Sequence, residues 1–206
     1  MRVTVVLGSL VSALLLSLTG CGASDGSWDD DGANPEVLDV NMREAAEQAD
    51  ALLDQTLEAV HPGVRWEHGQ VSDSACTGGG MDEGAEKGAV LRRRAVSTVI
   101  SDERRGSFLG VVERHWKERG YRVTSVNSDK KLPAVYVETS EGFSLSLSFG
   151  YRGQAFFEAA SPCADRSEVP PPGARPGVPD YTGRKPPLPD EHSDFWSDRA
   201  PVPGKG

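Results

Sequence analysis

Residues 143–149 read FSLSLSF, and this short run limits most sharply what the chain can fold into. Apolar side chains alternate strictly with serines, and successive side chains of an extended strand point to opposite faces. The segment is therefore a strand with one face in a core and the other toward water. A slip of one residue would exchange the two faces, so its register is firmly specified. A sheet with a single buried face is the antiparallel kind, packed against helices on one side.

The rest of the chain supplies the partners. Strands are expected at 121–126, at 134–139 after the polar loop 127–133, and at 154–160 after the turn Tyr151-Arg152-Gly153. Two more are expected earlier: 64–71, with Val64, Trp66 and His68 on one face, and 89–101, rich in Val, Thr and Ile. The glycine-rich segment 72–88 reads as a loop. Leu38, Met42, Ala45, Ala49, Leu53, Leu57 and Val60 recur at three- and four-residue spacing, while Glu44, Glu47, Asp50, Asp54 and Glu58 fall elsewhere on the wheel. This is an amphipathic helix, opened by Asn34-Pro35-Glu36 and stopped by His61-Pro62-Gly63. A second helix is expected from a cap at Ser101 or Asp102 through Phe108, Leu109, Val112 and Trp116 to Gly120. The expected fold is α+β, two helices packed on an antiparallel sheet in the order α-β-β-α-β-β-β-β.

At the amino end, Met1-Arg2 precedes a charge-free apolar run over 3–18, too short to span a bilayer, which needs about 20 residues. Leu18-Thr19-Gly20-Cys21 follows, and then the polar stretch Gly-Ala-Ser-Asp-Gly-Ser. This arrangement resembles the lipobox of bacterial lipoproteins, which implies cleavage before Cys21 and lipid on its thiol. The expected organisation is a signal peptide at 1–20, a flexible acidic tether at 21–34, an extracytoplasmic domain at 35–165 and a disordered Pro-rich tail at 166–206. Ten of the 14 prolines fall in that tail, with no helical or strand period.

With Cys21 lipidated, Cys76 and Cys163 remain as a pair, and outside the cytoplasm a disulfide is the simplest expectation. In the chain-entropy account such a bridge, closing a long loop, stabilises by about 4–5 kcal/mol. The formal net charge of −9 disfavours nucleic acid and anionic headgroups, so attachment to a membrane falls to the lipid at Cys21.

Motifs that carry chemistry are scarce. His61, His68, His115 and His192 show no metal-ligand spacing, and no metal or other cofactor is expected. Residues 25–36 imitate an EF-hand loop but hold Asp30 where the sharp turn demands Gly. Ser128-Asp-Lys-Lys131 has the Ser-x-x-Lys spacing, yet Pro133 keeps it in a loop where the pattern requires a helix. Arg92 and Arg94 share one face of a strand; they read either as charge protecting a solvated edge or as a candidate anion-binding site. Phe195-Trp196 interrupts the tail and reads as folded back on the domain or as a docking motif.

Together these residues resemble the secreted lipoproteins of high-GC actinobacteria such as streptomycetes, a family without assigned activity. The likeness runs through the lipobox, the first helix, Trp66, Cys76-Thr77-Gly78, Gly120-Tyr121, Glu141-Gly142-Phe143 and Ser161-Pro162-Cys163. It implies a lipid-anchored location on the outer face of the cytoplasmic membrane and carries no catalytic residue across. The expected function is a non-enzymatic module binding a protein or envelope partner. The alternatives are a cell-wall or peptide hydrolase lacking a recognisable motif, and a small-solute capture protein.

Overall fold

The computed structural model describes residues 37–76 and 87–200. The expected signal peptide and tether, Cys21 and the EF-hand-like run lie outside them. The architecture is the expected α+β layer: two helices on one face of a large sheet.

Strand β1 (Val37–Asn41) leads directly into α1 (Met42–Glu58). Helical order was expected from Pro35, because Leu38 fits the apolar period. The structure instead makes 37–41 a strand, since it gains a parallel ladder with β9 (Cys163–Asp165). Asn41 is the true cap: its side chain accepts from the Glu44 N–H at 3.1 Å, and the Glu44 carboxylate accepts from the Asn41 N–H at 3.0 Å. The stripe Ala45, Ala46, Ala49, Leu53 and Leu57 is fully or nearly fully buried.

Strands β2 (Trp66–His68), β3 (Ser72–Ala75) and β4 (Lys87–Val96) follow. Only three residues of the expected strand 64–71 are extended, and part of the expected loop 72–88 is strand. The β3 side chains are all exposed, so no apolar alternation marked it. β4 is an interior strand, paired along both of its edges. β2 and β3 share one of its edges, and β8 (Ala155–Ala160) with β9 lies along the other. Beyond β8 come β7 (Ser144–Phe149), β6 (Ala134–Glu138) and β5 (Arg122–Asn127), all antiparallel. Among the named strands of the described residues, the parallel pair is β1–β9.

The alternation at 144–149 holds: Leu145, Leu147 and Phe149 are buried on the helix face. Of the serines, Ser144 is exposed while Ser146 is shielded on the open face. α2 (Asp102–Glu118) starts after Ser101, with Asp102 and Glu103 complementing its dipole, and ends before Gly120, whose φ of 81° suits glycine. Its Trp116 Nε1 donates to Thr56 Oγ1 at 2.9 Å, joining the helices. Phe108 fills the space between Phe149, Phe157 and Trp196.

Cys76 and Cys163 are disulfide-bonded, with Cα atoms 6.1 Å apart across a separation of 87 residues. The bond ties the end of β3 to the start of β9.

The tail differs most from expectation. Residues 166–200 are folded along the domain in place of the expected disorder. They add backbone bonds to β2 and to the segment after β4: the His68 N–H donates to Pro179 O at 3.0 Å, and the Val99 N–H to Glu191 O at 2.8 Å. Trp196 then enters the core, 1% exposed, and its Nε1 donates to Pro62 O at 2.6 Å. Prolines that lack donors suit a segment lying along a sheet edge, and one buried indole supplies the anchor.

Candidate functional site

The densest cluster of charged side chains lies between α1, β4, β2 and the tail. Its positions follow from two periods. Asp50 and Asp54 are one helical turn apart on α1, and Arg92 and Arg94 are two residues apart on β4, so each pair shares a face. The faces meet. Arg92 Nε stands 3.2 Å from Asp50 Oδ2, and Arg94 Nη2 lies 2.7 Å from Asp50 Oδ1 and 3.4 Å from Asp54 Oδ1. Both arginines are buried, 2% and 1% exposed. Neither reading from sequence survives for them. β4 is interior, so Arg92 and Arg94 protect no edge, and their guanidinium groups are committed to the chain's own carboxylates, leaving no open anion site.

The tail closes the cluster. Arg92 Nη2 donates to Pro170 O at 2.6 Å, and Arg175 pairs with Asp54. Trp66 lies beneath two guanidinium groups, Arg94 at 5.1 Å and Arg175 at 5.9 Å from its ring centroid. His68 meets the same indole edge-on at 5.3 Å. Its backbone is fully used, donating to Pro179 O and accepting from the Tyr181 N–H at 2.9 Å. Its imidazole is buried, and among the described residues neither ring nitrogen has a partner.

Electrostatics follow from this enclosure. Burial lowers the His68 pKa from 6.5, and Arg94 lowers it further against the pull of Asp50, Asp180 and Asp54. Burial also weakens proton binding at Arg92, aided by Arg94 and opposed by Asp50. On the other face of β2, burial and then Asp190 raise the Glu67 pKa against Arg184. Breaking one partner out of such a buried set leaves an uncompensated charge, at a cost of about 3–5 kcal/mol.

Other candidates separate. A cleft of about 690 Å³ lies between the start of α2 and the tail, and Asp102, Glu103, Arg105, Arg152, His192 and Arg199 give it mixed charge. Arg105 is already bound to Asp102 and to Lys131 O, each at 2.6 Å. Ser128 and Lys131 sit in a loop where Asp129 accepts from the N–H groups of Lys131 and Leu132, so Ser128 opens no helix. Phe195 is 36% exposed under Arg104, whereas Trp196 is core, so the two are not a surface pair. Among the described residues no group of three or more His, Cys, Asp or Glu is placed to hold a metal, and no helix is long and apolar enough to cross a membrane.

Sequence reasoning passed over Asp50, Asp54 and Arg175. The signal available was an acidic i,i+4 pair bordering the apolar stripe of α1, together with alternating arginines on a strand. No family model and no curated protein matches the chain. A solved structure, that of a DUF4853 family protein from Actinomyces odontolyticus ATCC 17982, aligns at a TM-score of 0.38 and 12% identity. The alignment covers 72% of this chain and 74% of that chain. At that distance the likeness carries no argument about this chain.

Proposed function

We propose that the chain is a lipid-anchored binding module on the outer face of the cytoplasmic membrane, held by Cys21 and engaging a protein partner without chemistry of its own. One observation supports the binding reading over a hydrolase. The convergent carboxylates of the charged cluster, Asp50 and Asp54, are neutralised by Arg92, Arg94 and Arg175 and covered by the tail. A general acid and base need one free proton site each, and these two carboxylates are spent on ion pairs. The bonded Cys76–Cys163 pair suits an oxidising compartment. The anchor itself rests on the lipobox and on the likeness to actinobacterial lipoproteins.

Expression of the full chain and its Cys21→Ala variant in a Gram-positive host, followed by fractionation, tests the location. The wild type is expected in the membrane fraction with two acyl chains on residue 21, and the variant outside it. Recovery of both from the cytosol, unacylated and with free thiols at 76 and 163, overturns the proposal.

A further inference from the structure

We infer that the groove formed by α1, β2 and β4 recognises a proline-rich peptide that carries arginine at the head of a Pro-Gly turn, and that the chain's own residues 169–181, in which the Val178 N–H donates to Arg175 O at 3.1 Å, are its resident occupant. This rests on the binding-module reading and names the partner's chemistry.

Four observations carry it. The end of the segment makes one parallel bridge to β2: the outer edge of β2 gives the His68 N–H to Pro179 O and takes the Tyr181 N–H on His68 O. The groove also contains a built subsite for a guanidinium. Asp54, largely buried, supplies the carboxylate and Trp66 the aromatic face, and Arg175 fills the site while its side chain remains 45% exposed. A third element reads the backbone, since the buried Arg92 donates to Pro170 O.

The fourth concerns how the occupant is held. Between Val169 and Tyr181 only Pro172 is fully buried; Val169, Pro170, Val178 and Tyr181 are half-buried and the rest exposed. Beyond the core contact of Val169 and the buried Pro172, polar contacts that another peptide can reproduce hold the segment. Its two ends are fixed independently, upstream by Cys163 in its disulfide and downstream by Trp196 in the core. The middle can lift while the domain stays folded. A tethered occupant competes at an effective concentration on the order of millimolar, so it screens out weak ligands.

The test uses the full chain in detergent and a fluorescent synthetic peptide of residues 168–181. Wild-type chain is self-occupied and binds it weakly. Arg175→Ala vacates the guanidinium subsite in cis, and the peptide is expected to bind this variant about tenfold more tightly, the effect of one ion pair plus one cation–π contact. A peptide with Ala at the position of Arg175 loses that gain. Asp54→Asn abolishes it from the other side. Should that variant not fold, the two chains and two peptides above are sufficient. Equal binding of the peptide to wild type and Arg175→Ala, no binding to either, or equal binding of both peptides overturns the inference. Because the assay contains no membrane, its failure leaves the Cys21 anchor untouched, and the fractionation experiment fails or succeeds separately.

Discussion

Replacing Trp196 by Ala measures how far the tail belongs to the domain. The indole is 1% exposed, stands edge-on to Phe108 at 5.0 Å between centroids, and donates to Pro62 O. Truncating a buried Trp removes its transfer free energy and leaves a cavity whose walls relax only in part, together about 3–5 kcal/mol. Pro62 is itself exposed, so its carbonyl finds water and adds little. For a chain of this size each kcal/mol lowers Tm by about 2–4 °C, so a fall of about 6–20 °C is expected. Thermal and urea unfolding of the full chain, followed by circular dichroism, reads it. Phe195→Ala is the internal control. That ring is 36% exposed over Arg104, and its loss is expected to cost about 1 kcal/mol or less. A Trp196→Ala cost below about 1 kcal/mol, equal to that of Phe195→Ala, would refute the placement of the tail in the core.

Two further outcomes follow from the same structure. His68 binds a proton less readily folded than unfolded, because its pKa is lowered from 6.5 by burial and then by Arg94. Its contribution to stability is therefore complete above the unfolded value and is lost as pH falls below about 6.5. Between pH ~7.5 and ~5.5 the wild type should lose more unfolding free energy than His68→Phe; equal losses would remove His68 from the account. His115, lowered by burial and Arg119, contributes the same sign in both proteins. The Cys76→Ser/Cys163→Ser double variant should lose about 4–5 kcal/mol in guanidinium unfolding, as expected for a bridge across 87 residues. A loss under about 1 kcal/mol would show that the reduced chain already keeps those segments together.

What could be read in the sequence depended on whether a residue's fate was decided locally. Leu145, Leu147 and Phe149 alternate with serines, and alternation alone puts them inside. α2 was legible because its cap, apolar period and terminal glycine agree. Leu38 misled because a strand of five residues ahead of a helix is too short to interrupt an i, i+4 pattern, and its ladder partner lies more than a hundred residues away. Arg92 and Arg94 were placed on a common face correctly, but charge argued for water. Only the docking of α1 over β4 brings Asp50 and Asp54 to them. The tail was hidden by its own composition. Many prolines and few apolar residues describe an unfolded segment on average, and a single indole reverses the outcome.

The parallel pairing of β1 with β9 has a mechanical side. Tension on the chain upstream of Val37 is first borne by that ladder, and Cys163, at the head of β9, is covalently joined to Cys76 at the end of β3. The load therefore passes through sulfur into β3 and β9, both of which are paired with β4.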